Sequence, residues 1–179
     1  MKTYLIVAVL LSVVIPVMSQ NAVPEPEFND VFTALVEGKL IPLERETATI
    51  HAGGGGFMVV GTKAAYEIPG NKSPVRFHTA QPLAFVVRTA LASTSVDPST
   101  YYVLRRFDSK KKTREAVFMT GHFSPVGGST KTDLMNGTLP VSFTHYGASS
   151  LKLSVDQLPP GEYALSFSTG PTVFCFGID

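Results

Sequence analysis

Residues 151–178 read LKLSVDQLPPGEYALSFSTGPTVFCFGI, and this stretch decides the fold class. Residues 151–155 alternate apolar and polar side chains with a period of two, which is the pattern of a strand buried on one face. A proline-rich turn ending at Gly161 leads into residues 162–168, where the same alternation returns. After a second turn, residues 172–178 are apolar on both faces, which is typical of a strand covered on both sides. The stretch therefore predicts three consecutive strands.

The remaining chain carries the same signals. Short apolar runs are separated by glycine, proline, asparagine and serine, and no run shows a sustained helical period. Glu37-Gly38 reads as a tight hairpin turn, and residues 121–138 read as irregular. The candidate strands are residues 31–36, 39–43, 47–51, 64–68, 75–79, 83–89, 101–108, 113–119 and 141–146. We therefore predict an all-β fold, an antiparallel immunoglobulin-like β-sandwich, with a small β-barrel as the alternative.

The start of the chain predicts export. Lys2 precedes an apolar run over residues 5–18, and Ser19 provides a small residue for cleavage, so residues 1–19 read as a signal peptide. The run contains Pro16 and is shorter than the ~20 residues that span a bilayer, so stable membrane insertion is not expected. Residues 20–29 form an extended leader that we expect to be poorly ordered, and residues 30–179 form a single β-sandwich domain. The expected location is periplasmic or at the cell surface.

The charge balance argues against nucleic acid as a partner. The chain has 15 basic and 14 acidic residues, and Lys2 is the one charged residue within the predicted signal peptide. The mature chain is therefore formally neutral and exerts no strong long-range attraction on nucleic acid. An unknown envelope protein or a polyanionic polymer is the expected partner.

Metal, cofactor and thiol chemistry are not expected. The chain has 4 histidines, His51, His78, His122 and His145, and none of them has another ligand residue at metal-site spacing. Cys175 is the single cysteine, and its apolar neighbours predict a buried, inert thiol.

Two glycine motifs have ordinary structural explanations. The glycine run of residues 53–56 is followed by Thr62-Lys63, the reverse of the order in a phosphate-binding loop, so a flexible strand connection is favoured. A mobile lip beside a ligand cleft is the alternative for this run. Asn136-Gly137 fits both a glycosylation acceptor and a hairpin turn, and we favour the turn.

A basic hairpin supplies the candidate binding residues. Residues 101–108 and 113–119 flank a lysine-rich tip. One interpretation is a solvated edge hairpin that discourages aggregation, and the other is a contact with an anionic partner. The candidate residues are Arg105, Arg106, Lys110, Lys111, Lys112 and Arg114.

Three segments carry a resemblance to a known group of proteins. Residues 70–77 (GNKSPVRF), residues 158–165 with their Pro-Gly-Glu-Tyr turn, and the Phe-Cys-Phe-Gly-Ile-Asp sequence of residues 174–179 resemble segments of exported bacterial β-sandwich proteins of uncharacterised function. The resemblance implies a bacterial cell-envelope protein and brings no catalytic residues.

Three functions stay open at this point. The leading hypothesis is a non-enzymatic interaction or structural module of the envelope, because no catalytic motif such as Gly-x-Ser-x-Gly is present. The alternative is a protein that binds a small molecule or a glycan, with the loop of residues 53–56 and nearby aromatic residues forming the cleft. The third is a hydrolase whose site is assembled across strands.

Overall fold

The computed structural model describes residues 23–54, 60–78, 82–124, 127–133 and 136–179. The predicted signal peptide and residues 55–59, which include half of the glycine run, lie outside this part of the chain. The strands are β1 (Phe32–Val36), β2 (Lys39–Pro42), β3 (Glu44–Thr47), β4 (Thr49–Gly54), β5 (Val60–Pro69), β6 (Arg76–Phe77), β7 (Leu83–Arg88), β8 (Tyr102–Ser109), β9 (Thr113–Ser124), β10 (Gly127–Thr132), β11 (Thr138–Leu139), β12 (Ser142–Tyr146), β13 (Ser150–Val155), β14 (Gly161–Phe167) and β15 (Thr172–Ile178). Two short 3₁₀ helices, Ala90–Ser93 and Pro98–Thr100, lie between β7 and β8.

The strands form two sheets that pack face to face. The smaller sheet has the order β12-β13-β7-β1-β2, and the larger has the order β3-β15-β14-β8-β9-β5-β4. In the larger sheet β10 pairs with β9, β11 with β8, and β6 with β15. Pairing between described strands is antiparallel except for β6 beside β15. The prediction of an all-β, antiparallel sandwich is therefore confirmed.

The sandwich core follows the period-two pattern of the sequence. Phe85, Leu153 and Phe32 from the smaller sheet meet Leu165 and Phe176 from the larger sheet. Burial of these side chains is the main favourable term in folding, at about 25 cal/mol for each Å² of apolar surface removed from water. The strand predicted to be covered on both faces, β15, is buried from Val173 to Ile178, so that prediction is also confirmed.

The larger sheet curls so that its two outer strands are joined by a single residue. Ala48 separates β3 from β4; β3 pairs with β15, whereas β4 pairs with β5 at the other end of the sheet. Opposite Ala64 and Ala65 of β5 the register shifts, which leaves Phe118 as an extra residue and makes a bulge in β9, and bulges bend strands. The result is a half-barrel with its own buried interior. That interior consists of Ala48, Ile68, Phe107, Ala116, Ala164, Val173 and Cys175.

The described part of the N-terminal leader, residues 23–29, makes specific contacts, which differs from the expectation of poor order. The carboxylate of Glu25 accepts hydrogen bonds from the backbone N–H groups of Ala148 and Ser149 and from the hydroxyls of Ser149 (2.7 Å) and Ser150 (3.0 Å). Gly147 precedes these donors at φ 64, and a Cβ there would overlap the Glu25 carboxylate. The composition of the leader, rich in proline and acidic residues, gave no indication of this contact, because the residues that bind Glu25 lie far along the chain. We call residues 23–31 the strap.

The strap should dock in a pH-dependent way. Burial alone would raise the pKa of Glu25, but the hydrogen bonds from Ser149, Ala148 and Ser150 outweigh it and lower the pKa below its ordinary value of 4.5. A lowered carboxyl pKa gives a contribution that is complete above that ordinary value and is lost as the pH falls through the folded-state pKa. We expect the amide resonances of Ala148 and Ser149 to titrate below pH 4.5 in an NMR series. Glu25→Gln should abolish this transition, and an unchanged titration in that variant would contradict the assignment.

Two turn predictions have different outcomes. Glu37 and Gly38 adopt φ values of 49 and 76 between β1 and β2, so the predicted hairpin is confirmed. Asn136-Gly137 does form a turn, with Gly137 at φ 74. However, the strands on either side of that turn pair with different partners, β10 with β9 and β11 with β8, so the predicted hairpin is wrong.

The prediction that residues 121–138 are irregular is also wrong for much of its length. β9 continues to Ser124, and β10 pairs with it from Gly127 to Thr132. β10 has the sequence GGSTKT and is exposed throughout, so it carries no apolar alternation by which a strand could be recognised. Within the described ranges, no helix is both long and apolar enough to cross a membrane.

Candidate functional site

The half-barrel opens at one end into a cleft of about 260 Å³. Because side chains alternate along a strand, Ala164 and Ser166 of β14 share the half-barrel face, as do Arg105 and Phe107 of β8. Ala164 and Phe107 fill the closed interior, and the next inward positions, Ser166 and Arg105, line the open cleft. The cleft is lined by Ala48, Ile50, Tyr66, Arg105, Phe107, Ser166, Phe167, Ser168, Thr169, Gly170, Pro171 and Val173. We call it the half-barrel cleft.

Arg105 places a buried positive charge in the wall of this cleft. Its side chain is 9% exposed, and its guanidinium carbon lies 4.9 Å from the centre of the Tyr66 ring, a cation–π distance. Burial lowers the pKa of Arg105 below its ordinary value, and the Tyr66 phenol acts in the opposite direction. The guanidinium therefore carries its charge in a partly desolvated wall of the cleft.

A second buried arginine lies in a different electrostatic setting. Arg114 lies at the opposite end of the half-barrel, where it donates hydrogen bonds to the two Glu44 carboxylate oxygens at 2.8 and 3.1 Å. Its Nη1 also lies 3.8 Å from the Glu162 carboxylate. Burial alone would lower the pKa of Arg114, but the hydrogen bonds and charges of Glu44 and Glu162 raise it. The pKa values of Arg105 and Arg114 thus move in opposite directions.

The rim of the half-barrel cleft combines apolar and polar groups. Ile50 of β4 is 67% exposed and contributes an apolar side chain to the rim. Ser166, Ser168 and Thr169 add hydroxyl groups that donate or accept hydrogen bonds. A volume of about 260 Å³ is slightly below that of typical ligand pockets, which begin at about 300 Å³. The cleft therefore has room for no more than about one ring-sized group.

The structure separates the six basic residues predicted as a binding surface. Arg105 and Arg114 are buried inside the half-barrel, whereas Arg106 is exposed and donates a hydrogen bond to the Pro160 carbonyl at 3.4 Å. The exposed residues at the tip between β8 and β9 are Lys110, Lys111 and Lys112. The six residues thus do not form one patch, and an anion contact by the lysine tip stays a prediction.

The sequence did not indicate the cleft itself. Tyr66 and Ser166 were not candidates, and Arg105 was predicted as part of a solvent-facing hairpin. Alternation along β8 and β14 carried a partial signal, since it places Arg105 beside Phe107 and Ser166 beside Ala164. The curl of the sheet, which brings Tyr66 against Arg105, depends on contacts distant in the chain.

Cys175 lies beneath the cleft as a buried thiol. It has no exposed surface, and burial raises its pKa to about 12, with Arg114 opposing the shift. The prediction of a buried cysteine is therefore confirmed, and the raised pKa keeps the thiol protonated and unreactive. Over the ranges that the structure describes, no three His, Cys, Asp or Glu side chains are close enough together to hold a metal ion.

Comparison with known proteins adds no relative. No protein family, no curated protein and no solved structure matches this chain. The fold and the half-barrel cleft therefore define it as an all-β protein with two antiparallel sheets, the larger curled into a half-barrel.

Proposed function

We propose that this chain is an exported, non-enzymatic binding module of the bacterial envelope, and that its half-barrel cleft holds a small anionic ligand. The observation that carries the proposal is Arg105, a guanidinium in the cleft wall, buried against the Tyr66 ring. A ligand carboxylate in the cleft would be attracted by this positive charge, and the attraction is stronger there than at an exposed position because the cleft wall is partly shielded from water.

The surrounding groups define the rest of the ligand. Tyr66 and Ile50 offer apolar surfaces to the body of a ring, and Ser166 and Thr169 offer hydrogen bonds to polar substituents on it. The signal peptide and the neutral mature charge support placement in the envelope. The resemblance of residues 158–165 and 174–179 to exported bacterial proteins supports the same compartment.

A thermal-shift panel tests the proposal. The probes are benzoate, D-glucuronate and D-galacturonate, each compared with its neutral counterpart benzyl alcohol, D-glucose or D-galactose. A ligand that binds the folded state alone adds about 2.7 kcal/mol of stability at 100 times its Kd, so Tm should rise with at least one carboxylate and not with its counterpart. If no carboxylate raises Tm, the proposal is wrong.

The variant Arg105→Met tests whether the carboxylate raises Tm by binding in the half-barrel cleft. Methionine keeps most of the side-chain volume and removes the charge, so the carboxylate-induced rise in Tm should disappear. Lys39→Met is the matched control, because Lys39 is an exposed cation of β2 outside the cleft, and its loss should leave the rise intact. Ser166→Ala gives a second, milder variant inside the cleft if Arg105→Met fails to fold. An unchanged shift in Arg105→Met or, if that variant fails to fold, in Ser166→Ala would contradict the proposed site.

A further inference from the structure

A second cleft of about 470 Å³, a volume typical of ligand pockets, lies at the end of the sandwich where the strap leads into β1. Along β15, Phe174 faces the sandwich core and Val173 faces the interior of the half-barrel. The second cleft is lined by Phe174 and is therefore on the opposite face of the larger sheet from the half-barrel cleft. Residues 28–31 of the strap form one of its walls, so we call it the strap cleft.

Three phenylalanine rings form the apolar part of the strap cleft. The rings of Phe167 and Phe174 lie 6.1 and 5.3 Å from the ring of Phe32, measured between ring centres. They therefore form a floor that is fixed by the sandwich core. Phe28 adds a third ring from the strap and is 65% exposed. A ring placed in the cleft would cover Phe28 and contact the floor, and aromatic rings pack favourably in edge-to-face and offset arrangements.

Two charged side chains of opposite sign, Arg45 and Asp30, also line the strap cleft. The guanidinium carbon of Arg45 lies 6.0 Å from the centre of the Phe174 ring. Arg45 and Phe174 are partners in the register of β3 and β15, so strand pairing holds this cation beside the floor. Within the described ranges, neither Arg45 nor Asp30 takes part in a salt bridge. Both charges are therefore available to a ligand.

The backbone fixes the position of Asp30. Its φ is 62, in the left-handed region that aspartate and asparagine adopt more readily than most other non-glycine residues. Its N–H donates to the Arg88 carbonyl at 2.8 Å, and the neighbouring Asn29 forms a parallel bridge with Arg88. Burial and the negative charge of Asp30 both raise the pKa of the Tyr102 phenol, against a hydrogen bond to Thr89 that lowers it. The Asp30 carboxylate thus lies close to the Tyr102 hydroxyl, at the edge of the sandwich core.

The remainder of the strap wall is anchored as well. Glu25 is bound by the donors of residues 148–150, and the Arg88 guanidinium donates to the carbonyls of Pro26 (3.4 Å) and Glu27 (3.3 Å). Because these contacts order the wall before a ligand arrives, little of the binding free energy is lost in ordering the chain.

We propose that the strap cleft binds a zwitterionic α-amino acid with an aromatic side chain. The ring lies between Phe28 and the floor, the Arg45 guanidinium receives the carboxylate, and the Asp30 carboxylate accepts hydrogen bonds from the ammonium group. A ligand with a single charge meets one opposite charge and one like charge at this cleft, whereas a zwitterion meets two opposite charges. The site goes beyond the proposed function, because it lies on the other face of the larger sheet and uses neither Arg105 nor Tyr66.

Three probes separate the contributions of the two charges. L-Phenylalanine carries both charges, 3-phenylpropionate lacks the ammonium group, and phenethylamine lacks the carboxylate, whereas the ring is the same in all three. Each probe is titrated near neutral pH into the ¹⁵N-labelled protein, and its affinity is measured from amide chemical shifts. We expect L-phenylalanine to bind at least about tenfold more tightly than either analogue, as a hydrogen bond to a charged group predicts. The amides of Asn29 and Thr172, which line the cleft, should shift.

Variants assign each charge to its residue. Arg45→Met should weaken L-phenylalanine binding about tenfold and leave phenethylamine binding no weaker. Asp30→Asn keeps the side-chain shape and the left-handed backbone, and it should weaken L-phenylalanine by a similar factor and leave 3-phenylpropionate no weaker. Both residues are exposed, so both variants should fold. The matched controls are Lys39→Met, an exposed cation of β2, and Glu37→Gln, an exposed acid at φ 49, and neither should change the affinity for any probe.

The strap ring and the half-barrel cleft complete the test. Phe28→Ala should weaken all three probes, because each of them places a ring against Phe28. Equal affinity for the three probes, or an L-phenylalanine affinity unchanged by Arg45→Met, overturns the inference. Loss of binding in Arg105→Met but not in Arg45→Met would place the ligand in the half-barrel cleft, which overturns the inference and leaves the proposed function standing. Absence of L-phenylalanine binding also overturns it, and the carboxylate panel then decides the proposed function independently.

Discussion

Arg114→Met is expected to lower the free energy of unfolding by about 3–5 kcal/mol, because it leaves buried negative charge and carbonyl groups without their donor. Arg114 is 1% exposed and donates to both oxygens of Glu44, and to the carbonyls of Gly70 (3.2 Å) and Pro69 (2.9 Å). Glu162, which is 3% exposed, would keep Arg76 and the Ser73 N–H as partners but lose the nearby Arg114 charge. Urea unfolding monitored by circular dichroism measures the loss.

A surface ion pair provides the control. Lys63 and Glu115 form a salt bridge at 2.6 Å, but the Lys63 side chain is 45% exposed. Lys63→Met should therefore cost less than about 1 kcal/mol, the usual value for exposed pairs. The double variant Glu44→Leu with Arg114→Met removes both buried partners and should be more stable than Arg114→Met alone. Equal costs for Arg114→Met and Lys63→Met would show that the buried network contributes little.

Phe176→Ala is expected to be comparably severe, at about 3–5 kcal/mol. Phe176 is fully buried, and its ring centre lies 4.8 Å from Phe85, 5.9 Å from Phe77 and 5.7 Å from Tyr163. These rings come from both sheets and from β6, so the truncation leaves a cavity where the sheets meet. Chemical unfolding of the purified variant gives the value.

The cost should depend on the size of that cavity. Phe176→Leu keeps most of the volume and should cost less than half as much as alanine. Phe28→Ala removes an aromatic ring that is 65% exposed and should change stability by less than about 0.5 kcal/mol. A loss below 1.5 kcal/mol in Phe176→Ala would mean that the core closes around the gap, against the packing described above.

These strands could be predicted because the burial of their side chains follows a local alternation of apolar and polar residues. Residues 151–155 and 162–168 alternate cleanly, and each lies where one face of a strand meets the sandwich core. β3 was missed, since its sequence ERET has no apolar residue, and its pairing with β15 depends on register rather than composition. β10 was missed for a related reason, as an exposed edge strand of small polar residues.

The candidate site could not be predicted, because its parts are assembled by curvature. Arg105 and Tyr66 are brought together by the change of strand partner at Ala48 and the bulge in β9, and neither feature has a distinctive sequence signal. Arg105 and Arg106 are adjacent in β8, so alternation along the strand places them on opposite faces. The hairpin pattern could not show that the curled larger sheet would cover one face of the hairpin. Arg105 and Arg114 are therefore buried, whereas solvated side chains were expected.

The position of β15 has a consequence for the order of assembly. β15 follows the other described strands in the chain, yet it lies between β14 and β3, with Phe174 opposite Arg45. The half-barrel therefore cannot close until this late segment is available, and pairings across such long sequence separations form slowly. A nascent chain stays open, with β3 unpaired, until residues 172–178 emerge.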